Sequence, residues 1–331
     1  MTRELVDSYS RKIDYLRISV TDRCNLRCTY CMPAEGIELA RPWEILRYEE
    51  LARLARICVA NGISRIRVTG GEPLVRKGIV DFVRELSSID GLKDLSLTTN
   101  GVLLKEYARP LKDAGLARVN VSLDSLRRDR FREITRGDDL GRVLAGLEEA
   151  RSVGLVPVKV NMVVIKGFND DEVADFALMT KDKPYHVRFI EYMPFDSKEG
   201  WQKDKCISAG ELIDMVSRIE PIVAAEEPGA GGGPARRFRF RGAPGELGFI
   251  SPVSEHFCGT CNRLRLTADG KVRTCLFSDS EIDIKTVLRD GSSDDEVERV
   301  LFTAVAGKPA GHNINENVFK KCSRTMSLIG G

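Results

Sequence analysis

From residue 16 to about 220, short β-branched runs alternate with amphipathic helical stretches, and this period restricts the fold more than any other feature of the chain. "LRISV" (16–20), "RIRVT" (65–69), "DLSLTTN" (94–100), "RVNVSLD" (118–124), "VKVNMVV" (158–164) and "HVRFIEY" (186–192) read as strands. Between the first two, "RYEELARLARICVANG" (47–62) puts Leu51, Leu54, Ala55 and Cys58 on one helical face and ends at Gly62. Further helical stretches fall near 78–88, 103–114, 140–153 and 171–180. Six β-α repeats require parallel strands joined by right-handed crossovers. The unusual residues stand at the C-terminal ends of these strands, where barrels build their sites. The expected architecture is α/β: an incomplete (β/α)6 TIM-type barrel over residues 1–220.

The period breaks after a last helix near 208–219, and residues 221–331 read as a smaller α+β extension. "EEPGAGGGPARR" (226–237) is Gly/Pro-rich and reads as a loop; no strand precedes its G-x-G spacing, so a phosphate cradle is disfavoured. "RFRFR" and "LGFIS" read as short strands, and "RLRLTADGKVRTCLF" (263–277) as a hairpin turning at Asp269-Gly270. "DDEVERVLFTAVAGKP" (294–309) is a final amphipathic helix with Val297, Val300, Leu301 and Ala304 inward.

Charge separates some function classes. Lys+Arg 51 against Asp+Glu 49 leaves a net +2, so no global field favours nucleic acid or an anionic membrane, and an anion site has to be local. No apolar run approaches the roughly 18 residues of a membrane span. The opening "MTRELVDSYSRKIDYL" has no apolar h-region, which argues against export and for the cytoplasm. In a reducing cytosol, clustered thiols are more often metal ligands or catalytic groups than disulfides.

The nine cysteines are not scattered. Cys24, Cys28 and Cys31 in "TDRCNLRCTYCMP" (21–33) form C-x3-C-x2-C on the loop after the first strand. A triad of that spacing is expected by chance roughly 0.007 times in such a chain, so it is specific. A closed zinc site wants four ligands, and no fourth Cys or His lies nearby. An iron–sulfur cube on three thiolates leaves one iron open. The spacing, with Tyr30 before the last cysteine, resembles the signature of radical S-adenosylmethionine (SAM) enzymes. The resemblance implies a [4Fe–4S] cluster whose open iron is chelated by SAM, reductive cleavage of SAM, and hydrogen abstraction by the resulting radical. It also implies SAM contacts at Tyr30, at Gly70, Gly71 and Glu72 of "TGGEP", at Ser122, and at Met193 near the adenine. Without it, "TGGEP" reads as a turn and Met193 as an apolar residue at a strand end.

A second set, Cys258-x2-Cys261-x13-Cys275, spans the hairpin. A C-x2-C pair alone is expected about 0.24 times by chance, so the third cysteine carries the signal. From the residues alone, a zinc knuckle with His256 as fourth ligand stays open. The pattern followed by "NRLRL" resembles the GTP 3′,8-cyclase family of molybdenum cofactor biosynthesis, over nearly the whole chain. The resemblance implies a second [4Fe–4S] cluster that binds the guanine of GTP. It further implies GTP contacts at Arg17, Arg67, Thr98, Lys159, Arg188 and the stretch Arg263, Leu264, Arg265, with Arg17 also in the catalytic step. Arg263 and Arg265 share one face of a strand, which suits a polyphosphate, or equally a charged solvent face. No Walker A motif occurs, so side-chain cations would have to hold a triphosphate.

The resemblance implies abstraction of the ribose 3′ hydrogen and cyclisation at C8. It also implies handover to cyclic pyranopterin monophosphate synthase, an electron donor such as flavodoxin or ferredoxin, and room for a homodimer. The terminal Gly330 and Gly331 match a family Gly-Gly tail that reaches the active site, although a chain end is otherwise expected to fray. Cys58, Cys206 and Cys322 carry no motif and read as bystanders.

Overall fold

A computed structural model describes residues 4–193, 203–225, 233–312 and 323–330. Gly331, Cys322 and residues 226–232 of the expected loop lie outside the described residues. The six expected strands are β1 (Tyr15–Ser19), β2 (Arg65–Thr69), β3 (Asp94–Thr99), β4 (Arg118–Ser122), β5 (Val158–Val164) and β6 (Tyr185–Glu191). They pair in parallel, each with the next. Beyond them lie β7 (Ile222–Ala224), β8 (Arg236–Phe240), β9 (Glu246–Ile250), β10 (Arg263–Leu266), β11 (Lys271–Arg273) and β12 (Ile282–Asp283).

The twelve strands of the described residues form one sheet, in the order β12-β11-β10-β1-β2-β3-β4-β5-β6-β9-β8-β7. The C-terminal region therefore adds two more parallel strands: β10 lies beside β1 and β9 beside β6. The antiparallel strands continue outward from these two. Six repeats widened by two strands leave room inside the curve for a large ligand, whereas a small closed barrel fills its centre with side chains.

The helices are α1 (Tyr48–Ala60), α2 (Ile79–Ser87), α3 (Leu104–Asp113), α4 (Arg128–Thr135), α5 (Leu140–Ser152), α6 (Val173–Asp182), α7 (Ala209–Ser217), α8 (Lys285–Arg289), α9 (Asp294–Ala306) and α10 (Met326–Ile329). Leu51, Leu54, Ala55 and Cys58 of α1 are all buried, as are Val297, Leu301 and Ala304 of α9. The sequence reading missed α4. Its apolar residues, Phe131 and Ile134, are both buried, but two such positions in a charge-rich stretch do not make a visible period.

The parallel strands alternate between two contrasting faces. Outward-facing Leu16, Ile18, Ile66, Val68, Val119, Val121, Val158, Val160, Val187 and Phe189 pack into the main core beneath the helices. Inward-facing residues run through the register as polar rows: Arg17 beside Arg67 and Arg265, Arg67 beside Ser96, Asn120 beside Lys159, Asn161 beside Arg188. An interior lined this way cannot close on itself as an apolar barrel core does, and it has to take up water or a polar ligand.

Candidate active site

The inner face encloses one cavity of ≈380 Å³. All six motif cysteines line it, with Arg17, Tyr30, Arg67, Gly70, Gly71, Glu72, Thr98, Ser122, Lys159, Arg188, Met193, Arg263 and Arg265. Strand direction sets where each lies. Cys24 follows the C-terminal end of β1, so the first triad sits at that mouth. Cys261 precedes Arg263, which is level with Tyr15 at the start of β1, so the second triad sits at the opposite mouth. The expectation that all unusual residues stand at C-terminal strand ends therefore needs correcting. Gly70, Gly71, Glu72, Ser122 and Met193 do so. The cations stand along the strands, and Lys159 and Arg263 near their starts.

At the first mouth the backbone is tightly constrained. The loop closes through Cys31 N–H to the Cys28 carbonyl (2.9 Å) and Met32 N–H to the same carbonyl (3.1 Å). Gly70 and Gly71 are required by close approach. An ideal Cβ on Gly70 would lie 2.8 Å from the Thr21 carbonyl oxygen, and one on Gly71 only 2.5 Å from that of Arg23. The "TGGEP" turn is thus pressed against the cysteine loop and presents backbone to the cavity. Glu72 is buried and accepts from Leu74 N–H (3.0 Å), Thr99 Oγ1 (2.8 Å) and Asn100 N–H (2.6 Å). Expected as an acceptor for an ammonium group, this carboxylate already holds three donors of its own chain and keeps one lone pair spare. Burial raises it to about 7 against those hydrogen bonds. The Tyr30 hydroxyl donates to Asp124 (2.5 Å), whose other oxygen accepts from Val163 N–H (2.8 Å). Burial pushes Asp124 up to about 6.

Between the mouths lies a set of cations without counter-charge among the described residues. Arg65 pairs with Asp14 (2.7 Å), and Arg118 pairs with Asp94. Arg17, Arg67, Lys159, Arg188 and Arg265 make no ion pair with a described residue. Burial lowers them, and neighbouring cations add to it, against Tyr15 in the case of the arginines: Arg17 and Arg188 to about 10, Lys159 to about 6. Arg17 Nε, Tyr15 OH, Thr98 Oγ1 and Asn161 Oδ1 are buried with no hydrogen-bond partner. Unpaired buried charges and orphan polar atoms are costly, and their concentration on one wall marks a place for a polar anion. Leu264 points the other way, is 1% exposed and belongs to the apolar core, so only the two arginine side chains of 263–265 reach the cavity.

At the second mouth, Lys308 Nζ donates to the carbonyls of Arg263 (3.0 Å) and Thr274 (2.5 Å). Arg11 clamps the Cys258 carbonyl (2.7 Å) to those of Ala310 (3.0 Å) and Pro309 (2.6 Å). Burial works to raise the Cys261 thiol, but Arg263 and Lys308 outweigh it and hold the thiol down to about 7. The chain end returns to this cavity. The Gly330 carbonyl accepts from Arg265 Nη1 (3.0 Å), and Ile329 packs with Met193, Leu276, Phe277 and Met326. Gly330 has φ 81° and lies so close to β1 and β2 that an added Cβ would be 2.7 Å from Ser19 Cβ and Thr69 Oγ1.

This geometry coincides with a strong likeness to known proteins. Residues 18–179 match the Radical SAM superfamily and residues 185–314 match Molybdenum Cofactor Synthesis C. The chain is 51% identical to the GTP 3′,8-cyclase of Pelotomaculum thermopropionicum over 98% of its length and 99% of that protein. It is 51% identical to the GTP 3′,8-cyclase of Geobacter sulfurreducens over 99% of its length and 100% of that protein. The chain belongs to the GTP 3′,8-cyclase family. Membership implies an iron–sulfur cluster and SAM. The solved Streptococcus suis SuiB bound to S-adenosylmethionine superposes with TM-score 0.60 over 97% of this chain and 78% of that one. At 16% identity this concerns the fold alone.

Within this member of the cyclase family, several residues escaped the sequence reading. Tyr15 stands on the inner face with Arg17, and the guanidiniums of Arg17, Arg65 and Arg67 lie 5.4–5.7 Å from its ring centre. Its signal was parity: it is two residues before Arg17 on the same strand. Asp124, Asn100, Arg11 and Lys308 had no local signal. Cys58 is buried in α1, away from the cavity, and Cys206 is half-buried.

Proposed function

We propose that this protein converts GTP to (8S)-3′,8-cyclo-7,8-dihydroguanosine 5′-triphosphate, the first step of molybdenum cofactor biosynthesis. The observation that carries this reading is one cavity lined by two three-cysteine sets at opposite mouths, with cations between them that pair with no acid among the described residues. The donor sets fit the implied groups. A set of three thiols suits a [4Fe–4S] cube with an open iron at each mouth. Cys24, Cys28 and Cys31 would hold one, and Cys258, Cys261 and Cys275 the other. Gly70 and Gly71 offer backbone to SAM, with Tyr30, Ser122 and Met193 around it. When bound and reduced, the first cluster with SAM supplies a hydrogen-abstracting radical.

The chain's own task is to hold and shield the substrate. Arg17, Arg67, Arg188, Arg263 and Arg265, with Lys159 and Thr98, bind the triphosphate and ribose, and Arg17 also orients the reacting sugar. The guanine faces the second triad. The sheet then sets the ribose between the two mouths, with C3′ toward the first. Ile329 and the tail Gly330–Gly331 exclude water from the reacting carbon. Residues 1–220 form the SAM-binding half, and 221–331 bring the second triad, Arg263, Arg265 and the tail. The thiol-rich composition and the family chemistry support a cytoplasmic setting and an electron donor such as flavodoxin or ferredoxin. The family chemistry equally supports cyclic pyranopterin monophosphate synthase as the consuming enzyme.

The test is anaerobic incubation of the iron- and sulfide-reconstituted protein with SAM, dithionite and GTP. The expected result is cyclised nucleotide with 5′-deoxyadenosine and methionine. SAM cleavage without any GTP-derived product would overturn the reading.

A further inference from the structure

The second mouth carries a ligand set that a three-thiolate cluster does not use. His256, Cys258 and His312 bring one ligand atom each within 4.8 Å of one another. His256 Nδ1 lies 3.2 Å from the Pro252 carbonyl, a backbone contact of the kind that orients a ligating histidine. His312 Nδ1 is buried with no hydrogen-bond partner. The two imidazoles meet edge to face at 4.5 Å, and Phe277 backs His312 at 4.8 Å. Arg11 holds the two ligand-bearing segments together, as described above. Gly311 lies alongside the cysteine: an added Cβ there would stand at ordinary contact distance, 3.5 Å from Cys258 Cβ and 3.8 Å from Sγ.

We propose that His256, Cys258 and His312 form a site for one zinc-type divalent cation, competing with iron–sulfur assembly on the second triad. Two imidazoles and a thiolate are a zinc donor set, where a cube prefers thiolates alone. Zinc bonds of about 2.0–2.3 Å need the ligand atoms to draw together by about an ångström, and a fourth position remains for water or Cys261. Occupancy removes Cys258 from the cluster and leaves the first triad untouched. The cation site stands on its own geometry; only its competition with a cluster rests on the proposed function.

The test uses the full chain before iron–sulfur reconstitution, kept anaerobic, with Co²⁺ as the optical probe and Zn²⁺ as competitor. A Cys24→Ala/Cys28→Ala/Cys31→Ala background silences the first triad. About one Co²⁺ per chain is expected, with thiolate-to-cobalt absorption and tetrahedral d–d bands. His256→Ala and His312→Gln should each weaken it by about tenfold or more. Circular dichroism shows that the variants remain folded. In the native chain, Zn²⁺ added before reconstitution should halve the iron taken up, and the double histidine variant should resist that loss. No Co²⁺ bound at the second mouth, or equal affinity in the double variant, overturns the proposal. Failure of the second triad to take iron in zinc-free buffer counts instead against the two-cluster function and leaves the cobalt result standing.

Discussion

The two cysteine triads share a cavity but sit in opposite electrostatic surroundings. At the first, the charged groups that bear on Cys24 and Cys28 are acids and the neighbouring thiols. Burial and Glu72 push Cys24 up, and burial with Cys31 and Asp124 pushes Cys28 up further. At the second, cations bear on the thiols: burial and the neighbouring thiols still push Cys258 up, but Arg263 and Lys308 bring Cys261 down to about 7 despite its burial. The same strands make both ends, because cations stand along their length while Glu72 and Asp124 follow their C-terminal tips. At an effective dielectric near 20, two charges about 4 Å apart interact by roughly 4 kcal/mol. On the proposed function, a cavity polarised this way would orient two reactants of opposite charge: a sulfonium and ammonium at the acidic mouth, a polyphosphate toward the basic one.

The largest test separates the mouths. Cys24→Ser should abolish 5′-deoxyadenosine formation, because an alkoxide replaces a thiolate poorly on iron. Cys261→Ser should keep SAM cleavage, now uncoupled, and lose cyclised product. Both are read by chromatography of single-turnover mixtures. If Cys261→Ser also stops SAM cleavage, the two ends do not act separately and the comparison breaks.

A smaller effect is expected where the cationic wall meets the tail. Removing one charge-assisted contact costs about 1.5–3 kcal/mol, so Arg265→Ala should weaken GTP binding by about ten- to a hundred-fold and leave SAM binding in place. Arg265 also donates to Gly330. Deleting Gly330 and Gly331 therefore frees the Arg265 guanidinium, the proposed phosphate contact. GTP affinity should hold or rise while product per SAM cleaved falls. Wild-type coupling in the truncated chain would make the tail a mere frayed end.

How much of this was legible in the sequence follows from which forces are local. Six strands, α1 and α9 were readable because burial imposes a period on Leu51, Leu54, Val297 and Leu301. Both triads were readable because ligand spacing is a local property. The pairing of β10 with β1 was not, since nothing within residues 263–266 records that Arg265 will lie beside Arg17 some 250 residues earlier. Nor was the isolation of the cations: Arg65 and Arg67 look alike in "RIRVT", and only the fold gives the first an aspartate and leaves the second without one.

The finest test reads the polarity of the cavity as protons. Lys159 is held at about 6 in the empty protein, so at pH 7 it is mostly neutral. A polyphosphate beside it restores the ammonium form, and GTP binding should take up close to one proton, about 0.9 at most. Its affinity should then fall as pH rises above 6, until the raised pKa of the complex is passed. Glu72 is held at about 7, so at pH 7 it is half protonated. A cation arriving at that mouth lowers it, and SAM binding should release up to about half a proton, with affinity rising through the window below pH 7. Titration calorimetry at pH 7 in buffers of different ionisation enthalpy measures both quantities. The polarised cavity requires opposite signs for the two ligands. Uptake for both, release for both, or a Lys159→Met variant that still takes up the full proton with GTP would show that the two mouths do not differ in the way their charged neighbours imply.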